Sequence, residues 1–399
     1  VTEPISRRIV LTGLLGGSAA GLASCGGVMD PGRGRPSAAI DPLADPPAAP
    51  APSAGPTIGT GAVKVALILP LGASGQAASA ATSLRNAADL AMAEFQNPDL
   101  TILVKDDRGT ADGAREAATA ALAEGAELIL GPLFASAVAA AGTVAKAQGR
   151  PVIGFSTDAG VASRGVYLLS FLPQNEVDRV IDYAAAQGRR SFAALVPDTT
   201  YGSVVEGAFR EAAARRGIRV AGLERYAPGQ PAAAVTRLAP LFSGQIDAIL
   251  IPAPGDDLPA IGSALQSAGF SPGRVKPLGT GLWNDPRAAG VAAIQGGWFA
   301  SPEIAGFTAF AGRYRARFNA EPTRIATLAY DAVSLAAALA RMQGTPRYSE
   351  AALLAPTGFA GVDGVFRFRP DGTNERALAV NEVRGEGTAV ISPAPKAFG

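Results

Sequence analysis

From Val63 onward the chain alternates short apolar runs with helical stretches, and this alternation restricts its fold more than any other feature. Val63-Lys64-Val65-Ala66-Leu67-Ile68-Leu69 suits a strand buried on both faces. A Gly-rich turn over Gly72-Ala73-Ser74-Gly75 leads into a helix to about Gln96, with Ala80, Leu84, Ala87, Ala91 and Phe95 on one face. Further strands are expected at Thr101–Val104, Leu128–Leu130, Pro151–Phe155 and Val166–Phe171, with helices over Ala111–Glu124 and Ser136–Gln148. A second series begins at Pro173, whose helix runs to about Gln187. Strands at Phe192–Val196, Ile218–Ala221 and Ile246–Ile251 alternate there with helices over Gly202–Arg216, Ala232–Phe242 and Leu258–Ala268. Strands near Val275–Leu278 and Gly297–Ala300 close the series, and two long helices follow, about Ile304–Asn319 and Arg324–Met342.

The tail differs in kind. Gly364-Val365-Phe366-Arg367-Phe368-Arg369 alternates apolar and charged residues, and Pro370-Asp371-Gly372-Thr373 turns it into Ala377–Val380, which predicts a hairpin. Repeated βα units demand a parallel sheet with helices on both faces. Two series therefore predict an α/β protein of two Rossmann-like lobes. Ligands sit beyond the carboxyl ends of such strands, so facing lobes make a cleft.

The N-terminus carries a different signal. Arg7 and Arg8 precede a weakly apolar run from Ile9 to Ala23, and Cys25 is the only cysteine. That run falls short of the roughly 20 residues of a membrane span but suits a secretory h-region. Leu22-Ala23-Ser24-Cys25 resembles the bacterial lipobox, which implies lipidation of Cys25 and a signal peptide over 1–25. The membrane would then be reached through the N-terminal lipid only. Ser6-Arg7-Arg8-Ile9-Val10-Leu11 resembles a twin-arginine export motif, yet Val10 and Thr12 replace its Phe and Lys, so Sec export stays equally open. Gly26 after the cysteine, instead of a retaining Asp, favours the outer membrane in a two-membrane cell. Residues 26–61 are rich in Pro, Ala, Gly and Ser and read as a disordered tether. The roughly 340 residues beyond exceed what one core usually supports.

Composition removes several functions. Thirty-five basic against 34 acidic residues imply no polyanion partner, and no basic patch with interleaved aromatics suggests nucleic acid. The sequence has no histidine, hence no usual general base, triad partner or commonest metal ligand. Gly59-Thr60-Gly61 precedes a strand instead of following one, so it is no dinucleotide fingerprint. Asp106-Asp107 fits turn and cap duty better than a metal pair. A non-catalytic protein without cofactor or metal is the expectation.

Several markers occur in a telling order: Ile68-Leu69-Pro70-Leu71-Gly72, Asp106-Asp107, Ile129-Leu130-Gly131-Pro132 and Pro151-Val152-Ile153-Gly154-Phe155-Ser156-Thr157, then Tyr201-Gly202 and Thr327-Leu328-Ala329-Tyr330-Asp331-Ala332. Together they resemble the type I periplasmic binding proteins, in particular the leucine-binding-protein branch, from Val63 to about Arg384. The resemblance implies two lobes closing on a small polar ligand. It places crossovers near Leu172-Pro173, Ala300-Ser301-Pro302 and Gly344-Thr345-Pro346. Lobe 1 would then be 62–172 plus 301–345, and lobe 2 would be 173–300 plus 346–399.

Loops entering helices present backbone N–H groups and a positive dipole end to such a cleft. On the first lobe these loops carry Ser74 and Gly75, Phe134 and Ser136, and Ser156, Thr157 and Asp158. Tyr201, Asp256 and Trp283 are the candidates on the second. For the serines and Thr157, helix capping is an equally open role. Against the amino-acid-binding pattern, Ala135 replaces a serine and Asp158 a threonine, and the acidic ammonium contact falls near Gly281 and an aromatic near Pro254. A free α-amino acid is therefore disfavoured. Two functions follow from the resemblance. One is a solute receptor serving an ABC permease. The other is a lipoprotein resembling penicillin-binding protein activators, which act on a peptidoglycan synthase.

Overall fold

The computed structural model describes residues 56–96, 98–341, 346–385 and 387–398. The expected signal peptide, Cys25 and the tether before residue 56 lie outside these residues, as do Gly344 and Thr345 of the expected third crossover.

The first lobe is a six-stranded sheet in the order β1-β3-β2-β4-β5-β6. Its strands are β1 (Thr57–Ile58), β2 (Val63–Leu69), β3 (Leu100–Asp106), β4 (Ile129–Leu130), β5 (Val152–Gly154) and β6 (Val166–Leu168). All pair in parallel except β1, which runs antiparallel to β3. Helices α1 (Gly75–Glu94), α2 (Ala111–Ala123) and α3 (Ala135–Ala147) connect them. Lys64 alone in β2 is exposed, as a strand covered on both faces requires. The tether expected up to residue 61 stops earlier than that, because Ile58 is buried in this lobe's core and Gly61 N–H donates to Leu100 O.

The second lobe contains α4 (Pro173–Ala186), β7 (Ser191–Pro197), α5 (Thr200–Arg215), β8 (Arg219–Tyr226) and α6 (Ala232–Leu238). It continues with β9 (Ala248–Leu250), α7 (Leu258–Ser267), β10 (Lys276–Gly279), α8 (Pro286–Ala289) and β11 (Trp298–Ser301). The chain then returns to the first lobe as α9 (Ile304–Phe318) and α10 (Ala326–Ala340), where Phe310, Tyr314, Leu328 and Val333 join the first core.

The remaining elements are α11 (Glu350–Leu353), β12 (Phe359–Gly361), β13 (Gly364–Phe368), β14 (Asn374–Arg376), β15 (Ala379–Arg384) and β16 (Gly387–Ser392). Two expectations are corrected here. The hairpin exists, but its returning strand is β14, while β15 leaves to pair antiparallel with β11 in the second lobe's sheet, ordered β16-β15-β11-β10-β9-β7-β8. The third crossing is accordingly at Ala377-Leu378 and not near 344. Tyr348, Leu353, Phe366 and Phe368 bury their apolar surface in the first lobe's core, and Tyr348 Oη donates to Ala336 O. Residues 346–376 therefore belong with the first lobe.

Candidate functional site

The three crossings bring the carboxyl ends of both sheets to one cleft. At its floor is a cavity of about 280 Å3. Thr157 lines it from the loop after β5, and Phe171 and Pro173 from the first crossing. Gly281, Leu282 and Asn284 reach it from the loop after β10, and Ser301 and Pro302 from the second crossing. Three side chains with polar reach complete it: Glu176, Tyr201 and Arg324.

Each of the three is fixed by local structure. Glu176 sits in the first turn of α4, and its Oε2 accepts from Gly281 N–H at 2.9 Å. A Cβ at position 281 would lie 2.6 Å from Glu176 Oε1, so the approach depends on glycine. Burial pushes this carboxyl up to about 7, while the Gly281 N–H and the Arg324 charge pull the other way. Tyr201 is held at the start of α5. Thr199 Oγ1 caps Gly202 N–H at 3.1 Å, and Gly202 lies so close to Pro197 O that a Cβ would come within 1.8 Å of it. The Tyr201 hydroxyl bonds Thr280 Oγ1 at 2.8 Å, and burial pushes its phenol up. Arg324, just before α10, donates to both oxygens of buried Asp363, at 3.0 and 2.6 Å. Its guanidinium stacks 4.5 Å from the Phe171 ring centre and 4.8 Å from that of Phe307.

Of the ten residues read as ligand contacts, only Thr157 and Tyr201 line this cavity. Ser74 and Gly75 are exposed at the start of α1, where Ser74 makes no side-chain cap. Phe134 and Ser136 are exposed at the start of α3. Ser156 is buried and its Oγ accepts from Asp158 N–H at 3.1 Å; Asp158 Oδ1 accepts from Gly160 N–H at 2.8 Å. Both are thus engaged within their own turn, which is the capping role. Asp256 is exposed and paired with Arg287. Trp283 overturns its reading as a contact surface, since it is fully buried in the second core, 6.3 Å from Phe299. A short turn over Gly281–Trp283 points the indole inward, into space left by Gly279 and Gly297, and leaves Leu282 facing the cleft. Asp106 and Asp107 serve turns: Oδ1 of Asp106 accepts from Gly72 and Arg108, and Oδ1 of Asp107 from Gly109. Among the described residues, no three metal-ligating side chains cluster.

Two lobes built on largely parallel sheets, joined by three crossings over a cavity lined from both, have the architecture of a two-lobed binding protein. A family model described as "Periplasmic binding protein" matches residues 62–388, and the chain belongs to that family of exported, non-catalytic proteins. Solved structures share the fold. One from Rhodospirillum rubrum, assigned as a branched-chain amino acid ABC transporter, is 24% identical with a TM-score of 0.72, covering 82% of this chain and 99% of its own. A solute-binding protein from Rhodopseudomonas palustris in complex with 3,4-dihydroxybenzoic acid is 19% identical, TM-score 0.57, covering 84% and 97%. A branched-chain amino acid substrate-binding protein from Streptococcus pneumoniae in complex with isoleucine is 21% identical, TM-score 0.56, covering 83% and 99%. Among curated protein sequences, none matches.

Proposed function

We propose that this protein is an extracytoplasmic solute receptor that closes its lobes on a small polar ligand and presents it to an ABC permease. The observation that carries this reading is the cavity at the crossings, with hydroxyls, a carboxyl and a guanidinium converging on apolar walls. Closure follows if the ligand binds the closed spacing better than the open one. Glu176, bonded to the very Gly281 near which the amino-acid-binding pattern puts its acid, supplies an acceptor for an ammonium or hydroxyl of the ligand. Thr157 and the amides around it supply the opposing donors. Ala135 and the self-capped Asp158 still weaken the carboxylate seat of an α-amino acid. The solved relatives bind isoleucine in one case and a dihydroxybenzoic acid in another, so both chemistries belong in the test.

The test is thermal melting against L-amino acids and hydroxylated benzoic acids. A saturable upward shift that Tyr201→Phe with Thr157→Val abolishes supports the receptor. A shift unaffected by that pair moves the site elsewhere.

A second reading is a lipoprotein activator of a peptidoglycan synthase. It is favoured by Cys25-Gly26 and the Pro-rich segment after it, which suit an anchor in the outer membrane. Co-purification of a penicillin-binding protein, without any retained small molecule, would select it over the receptor.

A further inference from the structure

Three crossings join the lobes, and the segment after β16 makes a fourth connection. β16 lies at the edge of the second lobe's sheet, paired with β15 as far as Ser392. Arg179 of α4 secures that end: its Nη2 donates to Ser392 Oγ at 2.7 Å and its Nε to Leu378 O at 2.9 Å. The chain then leaves this lobe through Pro393-Ala394-Pro395, where two prolines of fixed φ limit its slack.

Its next contacts are with the first lobe. Ala394 N–H donates to Glu303 Oε1 at 3.0 Å, just before α9. The Phe398 ring lies against the Arg367 guanidinium, 4.5 Å from ring centre to charge. Arg367 of β13 is itself fixed, by Glu375 at 2.9 Å and by Pro356 O at 3.2 Å. Gly358, at φ +71°, leaves room for the ring, since a Cβ there would come 2.9 Å from it. Phe398 is half-buried by these neighbours, while Pro395, Lys396 and Ala397 are exposed.

Exposed residues between two anchored ends form a span. Neither attachment to the first lobe supports that lobe's own fold: Glu303 makes no side-chain cap for α9, and Phe398 lies outside the buried cores. Weak contacts suffice in such a span, because a short linker keeps the ring at high effective concentration beside its seat.

We propose that residues 393–398 are a strap that restrains hinge motion, holding the two lobes near one spacing while Phe398 sits on Arg367. The strap acts on lobe spacing whatever the cleft binds.

Distances between spin labels on the two lobes test this. Ser136 and Asp256 are exposed beyond the carboxyl ends of strands in opposite sheets. Ser136→Cys with Asp256→Cys, in a chain whose only native cysteine is removed by Cys25→Ala, puts one label on each lobe. Double electron–electron resonance without ligand should give one narrow distance distribution. Phe398→Ala should roughly double its width, and Glu303→Ala, which cuts the other attachment, should widen it in the same sense. Phe398→Tyr keeps the ring and should keep the narrow distribution. Either of the first two variants decides the matter if the other fails to fold. A broad distribution with the strap intact, or an unchanged width in either folded variant, would overturn the strap and leave Phe398 as local packing only.

Discussion

The Glu176 carboxylate accepts the Gly281 N–H at 2.9 Å, which ties the first turn of α4 to the loop after β10 at the floor of the cleft. The bond fixes the one acidic group lining the cavity. Gly281→Ala would bring a Cβ to 2.6 Å from Glu176 Oε1 and force the carboxyl aside. Ligand affinity should fall at least tenfold in titration calorimetry with little change in melting temperature. Full affinity in Gly281→Ala would remove Glu176 from the ligand's contacts.

The same carboxyl makes stability depend on pH. Its folded value of about 7 lies above the ordinary 4.5, so the folded state holds the proton more tightly than the unfolded state. That contribution is full below about pH 4.5 and is lost as pH rises through about 7. Glu176→Gln keeps the neutral form at every pH. It should therefore gain on wild type between pH 4.5 and 7.5, by about 3 kcal/mol, and stay level above. Asp331, pushed up to about 7 chiefly by burial, adds a slope of the same sign that Asp331→Asn would remove. Urea midpoints measured across that range check both.

Arg324 and Asp363 form an ion pair whose acid is fully buried. Arg324→Ala strands that carboxylate and removes the cation stacked on Phe171 and Phe307. A loss of about 3–5 kcal/mol is expected in chemical denaturation. Arg324→Lys keeps the charge without the paired geometry and should fall between the two.

Trp283 fills the second lobe's core, so Trp283→Ala should cost about 3–5 kcal/mol. A contact surface would instead show lost ligand affinity with stability retained. Unfolding midpoints and ligand titration on the one variant separate these.

Lipidation of Cys25 predicts that Cys25→Ala moves the protein from the detergent-soluble membrane fraction to the soluble one. An unchanged distribution in cell fractionation would count against the lipobox reading.

What could be read from the chain followed from periodicity. Runs such as Val63–Leu69 and the helical face through Leu84 and Ala87 carry their burial in their spacing, so the βα order and both lobes were legible. Residue order alone could not tell which core a segment joins. Phe366 and Phe368 alternate as any hairpin would, and only their packing beside Tyr167 and Tyr348 puts them in the first lobe. Trp283 was misread because a single short turn decides whether residue 282 or 283 faces outward. Glu176 and Arg324 went unnoticed for a related reason: they lie 148 positions apart, and only the crossings bring them to one cavity. The available hint was an acid in the first turn after the Leu172-Pro173 crossover.

Native mass spectrometry of the protein purified without refolding tests the central claim most directly. Wild type should carry one small molecule per chain, and the Thr157→Val, Tyr201→Phe, Glu176→Gln triple variant should be empty while keeping the wild-type circular dichroism spectrum. The same molecule retained equally by the triple variant would contradict a ligand held at the crossings.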